Sequence, residues 1–396
     1  MRSANSRQPA RGWLYVASAV IAAAWGGNQF VPLLLFYRGF YGYSSVEVAL
    51  FLAFYIVGIV PGFALAGPWS DRYGRKPVLL AGMLLGILGS LILAFASSTA
   101  IGMCAGRVIG GLSVAAGMVA GSSWIKELST IEGRPDLGAR RASLALSVGF
   151  GGGAGIAGIL AQWGPAPTLV PYGVHIIASL AATPLLLKAA ETRAFDPRVT
   201  SLRGDLRIPK AARKKFWGVI APLAPWVFAA PVLAFAVGPS LVADQLGDQQ
   251  VAFATLVTVL VLGVGTLTQL FSRPLIRALH GHAMSAAVVI AAIGAIVLST
   301  TIPMGAIWPV LAAAPFFGIG YGLAMVAGLS SVQALSSADD LAGSTAVFYG
   351  MTYAGFLLPA ALAALNPIVP YPSLLLGCAA VCIATAAWSS IRLRKH

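Results

Sequence analysis

Charge is what this sequence has least of. Charged residues make up 10% of it, and 396 residues contain only 12 acids. With 58% hydrophobic residues and a mean hydropathy of +0.84, there are too few polar side chains to cover a water-soluble globule, and that class is excluded. Cysteine is also scarce. Cys104, Cys378 and Cys382 lie in apolar runs without metal-site spacing, and their odd count gives no disulfide framework, so they read as small core residues. The histidines at 175, 280, 282 and 396 are too scattered to converge with acids on a catalytic centre, which argues against a membrane-embedded enzyme. No G-x-x-x-x-G-K-[ST] loop is present, so direct use of ATP is not expected, nor is any cofactor or metal. The net charge of +14 does not imply nucleic acid, because the basic residues sit in short segments between apolar runs rather than among stacking aromatics on one soluble face.

Long apolar runs are what the chain has in quantity. About 20 apolar residues make one helical span of a hydrocarbon core about 30 Å thick. Twelve candidates follow one another, at 13–37, 46–69, 77–97, 100–125, 142–163, 170–188, 216–240, 250–272, 283–302, 305–332, 343–365 and 371–391. Backbone in lipid must bond internally, and these runs are too long and uniform for barrel strands, so the expected fold class is an all-α polytopic membrane protein. The segment 13–37, behind Arg2, Arg7 and Arg11, is too long for a signal core and opens a series of similar segments, so it reads as a retained first helix.

Basic residues alternate between loops. One side holds Arg2 to Arg11, Asp71 to Lys76, Lys126 to Arg141, Lys188 to Lys215, Arg273, Arg277 and Arg392 to Lys395, while the other holds only Arg38, Glu47, Asp244 and Asp248. The positive-inside rule then places both termini in the cytoplasm of a plasma (inner) membrane protein, which agrees with an even number of spans. The basic stretch 189–215 divides the chain into a tail at 1–12, a six-helix bundle at 13–188, a linker, a second bundle at 216–391 and a tail at 392–396. That linker reads as a cytoplasmic tether held against anionic membrane lipid. Two bundles joined this way suggest parallel halves that rock about a central site.

Residues 67–77 read GPWSDRYGRKP, with Gly67, Asp71, Arg72, Gly74, Arg75 and Lys76 in the pattern G-x-x-x-D-R-x-G-R-K. An ordinary basic hairpin accounts for Arg72, Arg75 and Lys76, but not for an acid and two glycines at these spacings. The stretch resembles the signature loop of the major facilitator superfamily. AGRVIGGLSVAAG, with Arg107 and Gly111, is similar to that family's R-x-x-x-G pattern in the fourth helix. ARRASLALSVGFGGGAGIAGIL, with Arg141, resembles its fifth helix, and LAGSTAVFYGMTYAGFLLPAAL its eleventh. Two departures stand out: FSRPLIRALHGH in the second half lacks the acid and the Gly-Arg pair, and the fifth helix lacks the Gly-Pro step usual in the family's antiporters.

The resemblance implies a secondary transporter working by alternating access, most similar to the drug and metabolite exporters, with protons as a possible coupling ion. Asp71 is expected to act in a gate, taking charge-assisted bonds, with Gly67 allowing close helix approach, Gly74 the turn, and the basic residues anchoring the loop. Arg107 lies about 10 Å into its span at 1.5 Å per residue, a depth that demands a partner or a wet cavity. Three roles are open for it: a structural pair with Glu47, contact with an anionic substrate, or modulation of proton coupling with Glu47 titrating. Glu47 also suits a helix N-terminus. No acid lies centrally in any span, so coupling needs another group, and His175 near the outer start of the sixth span is one that titrates near neutrality. Trp25, Asn28, Gln29, Trp226, Phe317, Tyr321, Tyr349 and Tyr353 are candidates for a cavity wall suited to an organic solute. The alternative is a facilitator or importer of an anionic metabolite centred on Arg107; a non-transporting scaffold is more remote. Pro222, Pro225 and Pro231 are expected to kink or unwind the seventh span.

Overall fold

The structure, a computed structural model, describes residues 11–199, 208–336 and 341–394. Eleven helices among them are long and apolar enough to cross a membrane, and a shorter apolar one, Trp226–Leu241, completes twelve. In chain order these are α1 (Gly12–Tyr41), α2 (Ser45–Tyr73), α3 (Arg75–Ala96), α4 (Ala100–Ile131), α5 (Pro135–Trp163), α6 (Val170–Lys188), α7 (Trp226–Leu241), α8 (Ala243–Ala278), α9 (Ala283–Met304), α10 (Trp308–Leu335), α11 (Gly343–Leu365) and α12 (Tyr371–Arg394). No strand occurs among the described residues. Short turns reverse the chain between successive helices of the first half, so the starts of α1, α3 and α5 share one end, the end nearest the chain termini, and the starts of α2, α4 and α6 share the far end.

Helix ends and charge do not coincide as expected. Lys126 to Arg141, read as a loop, is mostly helix: α4 continues to Ile131, Gly133 turns with φ +78°, and α5 starts at Pro135. Apolar composition stops where lipid stops, but backbone hydrogen bonding does not, and Pro at the first helical position lacks only an N–H that would have no partner. Arg273 and Arg277 likewise lie inside α8, which runs past Pro274 to Ala278. Prolines decide where spans break. In α1 the regular helix stops at Asn28, and a short tight turn at Val31–Leu33 follows, because Pro32 has no N–H to give back. Ahead of α7 the chain leaves helical geometry at residues 221–225, around Pro222 and Pro225, and loosens again at Leu233–Val237 after Pro231. The expected unwinding of the seventh span is therefore present.

Within the first six helices α2 and α3 pack on α4; within the last six, α8 and α9 pack on α10, and α12 on α9. The halves meet where α2 runs beside α11 and α5 beside α8. Apolar side chains such as Leu84 and Phe95 on α3, Ile177 on α6, Ile293 on α9 and Val381 on α12 point outward, where only lipid satisfies them. The glycines of α5 serve both sides of a boundary: Gly149 lies on Ile21 and Ala24 of α1, and Gly158 on Thr255 of α8.

The contact between α2 and α4 needs glycine on both helices. A Cβ on Gly58 would lie 1.8 Å from the Val108 carbonyl oxygen, and one on Gly111 would lie 2.5 Å from that of Tyr55. Both obstacles are backbone, so neither helix yields by a rotamer change. Gly58→Val should cost about 3 kcal/mol, the upper range of overpacking, measured as a lower thermal unfolding midpoint in detergent.

Candidate functional site

At the end that carries the termini, the loop between α2 and α3 is tied into a charged cluster. Gly74 turns the chain at φ +101°, a conformation open to glycine, and α3 starts one residue later. Arg75, expected as a surface anchor, is instead buried at 6% exposure. Its guanidinium lies 2.9 Å from Asp71 and 2.8 Å from Glu127 of α4, and it also donates to Ser70. Burial explains the pairing, since a guanidinium without water needs carboxylates to replace it. Asp71 itself is half exposed, with Arg193 3.9 Å away.

The first part of the linker covers this loop rather than hanging as a tether. Glu191 accepts hydrogen bonds from the backbone N–H groups of Arg75 and Lys76 at 3.0 and 2.8 Å, so it caps the positive end of α3. Thr192 donates to Glu127, Arg72 donates to the Val199 carbonyl, and Phe195 rests against Tyr73. Lys76 donates to the carbonyl of Leu187. Asp196, in the same segment, is held below the ordinary carboxylate range by the backbone N–H and guanidinium of Arg198. Gly67 does not meet its expected use: an added Cβ would have only Val119 near it, at 3.8 Å, an ordinary contact. Residues 1–10, with Arg2 and Arg7, and 200–207, with Arg203 and Arg207, lie outside the described residues.

Arg107 is enclosed at 1% exposure, and among the described residues no acid meets it. It donates to the carbonyls of Gly27 on α1 and Phe51 on α2 at 3.0 and 3.3 Å, and reaches Leu52 at 3.5 Å. The rings of Phe30 and Tyr55 cover its faces at 4.6 and 4.7 Å. Gly27 lies in the last turn before the break in α1, where carbonyls have no intrahelical donor, and this leaves one for Arg107. The pairing with Glu47 is not found. Glu47 accepts from the Ser44 backbone N–H at 2.8 Å and caps α2, as its position at a helix start favours. Arg141, expected in a loop, lies inside α5, paired with Glu132 at 2.6 Å and set over Trp13.

Between the halves, rings from four helices meet. Tyr353 of α11 lies 4.4 Å from Phe228 of α7 and 5.9 Å from Tyr55 of α2, Tyr349 lies 5.1 Å from Phe63, and Tyr321 of α10 lies 5.7 Å from Phe228. The Tyr353 hydroxyl reaches the sulfur of Met118 on α4. Of the expected wall, Tyr321, Tyr349 and Tyr353 come together here. Phe317 does not, because it is fully buried against Gly294 of α9, and Trp226 packs partly buried into the second half. Trp25 sits over Gly153 of α5, Asn28 donates to the Phe150 carbonyl, and Gln29 turns into the first bundle to Ser90. Tyr55, Phe63, Phe228 and Phe356 were missed; the eight-residue spacing of Tyr55 and Phe63, which puts both on one face of a helix, was the available signal.

At the far end α5 and α8 are locked. The Gln162 side chain donates to the Asp248 carbonyl at 2.7 Å and accepts from the Ala252 N–H at 2.9 Å. Among the described residues, no hydrogen bond or ion pair joins the two six-helix halves at the end that carries the termini.

Two six-helix halves meeting around a ring cluster, with a charged loop on one side and a lock on the other, define a two-bundle helical membrane protein. The Major Facilitator Superfamily model matches residues 14–360, and the chain belongs to that family. A POT family transporter solved with a thioalcohol-conjugated peptide shares the fold, with a TM-score of 0.77 and 12% identity over 97% of this chain and 96% of that one. Multidrug resistance protein 2 of Bacillus subtilis (strain 168) is 25% identical over 175 residues, 44% of this chain and 43% of that protein. The chloramphenicol resistance protein of Pseudomonas aeruginosa is 34% identical over 97 residues, 22% of this chain and 23% of that one. The chain thus spans less than half the length of either of these two relatives.

Two substitutions test the site. Arg107→Lys keeps the charge but loses the planar grip on three carbonyls and two rings, and should lower stability by about 2 kcal/mol, read by thermal unfolding in detergent. Asp71→Asn removes the charge but not the shape; insertion should be normal while transport falls roughly fivefold, the effect of about 1 kcal/mol. Wild-type rates in correctly inserted Asp71→Asn protein would remove Asp71 from the gate.

Proposed function

We propose that the protein exports an organic, drug-like solute by alternating access, with both termini in the cytoplasm. The observation that carries this reading is the asymmetry between the two ends of the junction: Gln162 locks the halves at the far end, and among the described residues no hydrogen bond or ion pair joins them at the other. Of the two conformations that an exporter needs, closure at the far end suits the one that loads from the cytoplasm. The basic residues at that end support the orientation. Aromatic rings at the middle suit an apolar solute with a few polar groups. Two of the similar proteins are a multidrug and a chloramphenicol resistance protein, which supports the same class of cargo. The Arg107 environment does not favour the anionic-metabolite alternative, since the guanidinium is bonded to carbonyls and covered by two rings.

Radiolabelled chloramphenicol uptake by cells measures this directly. Cells expressing the protein should accumulate several-fold less than cells expressing Asp71→Asn, and equal accumulation would count against chloramphenicol export. The lock makes a second prediction. Gln162→Ala removes two hydrogen bonds at about 1 kcal/mol each, so it should favour the conformation open at the far end roughly 30-fold. Spin-label distances between the far ends of α5 and α8 should lengthen in the variant.

A further inference from the structure

His175 takes no part in the reading above, yet it is a titratable side chain enclosed within the first bundle. It is 1% exposed. Its Nε2 lies 3.0 Å from the Ala22 carbonyl of α1 and its Nδ1 2.8 Å from the Ser90 hydroxyl of α3; Gln29 donates to that hydroxyl at 2.9 Å. A carbonyl only accepts, so Nε2 carries the hydrogen and Nδ1 is bare. Ser90 therefore donates to Nδ1, and its oxygen receives the Gln29 amide. All hydrogens in this chain run in one direction, from Gln29 to Ala22.

That direction leaves one atom out. Gln29 Oε1 is buried without a partner, although Gln29 is 1% exposed. A proton on Nδ1 would reverse the line. Nδ1–H would donate to Ser90, and the Ser90 hydrogen would turn toward Gln29. A half-turn of the amide would then bring the unpartnered Oε1 in to accept it. No heavy-atom bond forms or breaks; one solvent proton is gained, the imidazole goes from neutral to +1, and the Ser90 hydrogen rotates without being transferred. Two arrangements of Gln29, Ser90 and His175 thus differ by one proton, each presenting a different end of the Gln29 amide to Ser90.

We propose that His175 is the proton-binding group that couples this transporter to a pH gradient, with Ser90 and Gln29 relaying its state to the break in α1. The proposal rests on the reading of the chain as a transporter. α1 presents the Ala22 carbonyl and Trp25 to the imidazole, α3 presents Ser90, and Ser179 lies on α6 itself. Across the bare Gly86, α4 places Ser113, whose hydroxyl is also buried without a partner. Among the described residues, these contacts to the imidazole are all from uncharged groups. Arg107 grips α1 five residues further on, at Gly27, and Gln29 adjoins Phe30, whose ring covers that guanidinium. A reversal at Gln29 therefore acts on the point where α1 breaks and where Arg107 holds it to α2.

The test combines a binding readout with a transport readout on the full chain. In nanodiscs with nitrogen-labelled histidine, lowering the pH from about 8 to about 3.5 should move His175 from one protonated ring nitrogen toward two, with His175→Gln identifying its signals. In proteoliposomes with chloramphenicol as the probe, His175→Gln should equilibrate the probe but lose accumulation driven by an imposed pH gradient. Gln29→Met, which keeps the imidazole and removes the reversed acceptor, should reduce that accumulation about tenfold. An imidazole that keeps a single protonated nitrogen throughout overturns the proposal, and so does undiminished gradient-driven accumulation in both variants. Wild-type transport indifferent to the gradient overturns the proposal and leaves the transporter reading intact. If the wild type moves no chloramphenicol, that cargo fails, and the histidine titration alone decides the proposal.

Discussion

A guanidinium enclosed among membrane-spanning helices has to be met by acceptors, and Arg107 is met by backbone carbonyls rather than by an acid. Much of the first bundle follows from this. A backbone acceptor is available only where a helix end leaves it free or where its second lone pair is within reach, so α4 must lie close against α1 at its break and against the start of α2. Glycine at 58 and 111 permits that approach, and Pro32 produces the break. The side chain that is costliest to bury thus fixes the mutual placement of three helices, and its charge is spread over carbonyl dipoles and ring faces.

The two charged centres of the first half solve the same problem differently. Arg75, near the membrane surface, is neutralised by Asp71 and Glu127 and adjoins the segment that Glu191 anchors. Acids are plentiful enough there because the surrounding loops are wet. Deeper in, a carboxylate would carry its own desolvation cost, and the chain places none in the middle of a span. Charge pairs therefore occupy the end that carries the termini, carbonyls and rings surround the buried arginine, and neutral hydrogen-bonded groups hold the rest of the interior.

The helices were readable because lipid imposes one length and one composition on every span, and the signature loop was readable because Asp71, Gly67 and Gly74 depart from what a basic hairpin requires. Arg107 announced itself by depth. Its partners did not, because a search for partners in sequence lists side chains, and Gly27, Phe51 and Leu52 contribute only main chain. Glu191 looked like one acid in a basic linker; that it caps α3 depends on where the turn at Gly74 carries the chain. Gln29 was read as facing a cavity from its depth alone, but helix rotation decides direction, and α1 turns it toward Ser90. Tyr55 and Phe63 were not expected in the ring cluster because, within one apolar span, their spacing also matches that of ordinary core residues.

The lock at the far end has an uneven genetic structure. Both of its hydrogen bonds run from one side chain, Gln162, to main-chain atoms of Asp248 and Ala252. Side chains on the α8 side are free to vary without loosening it, provided the backbone keeps its path. One codon on α5 therefore supplies both bonds of the closure, and variation there would weaken it without touching the ring cluster or the charged loop.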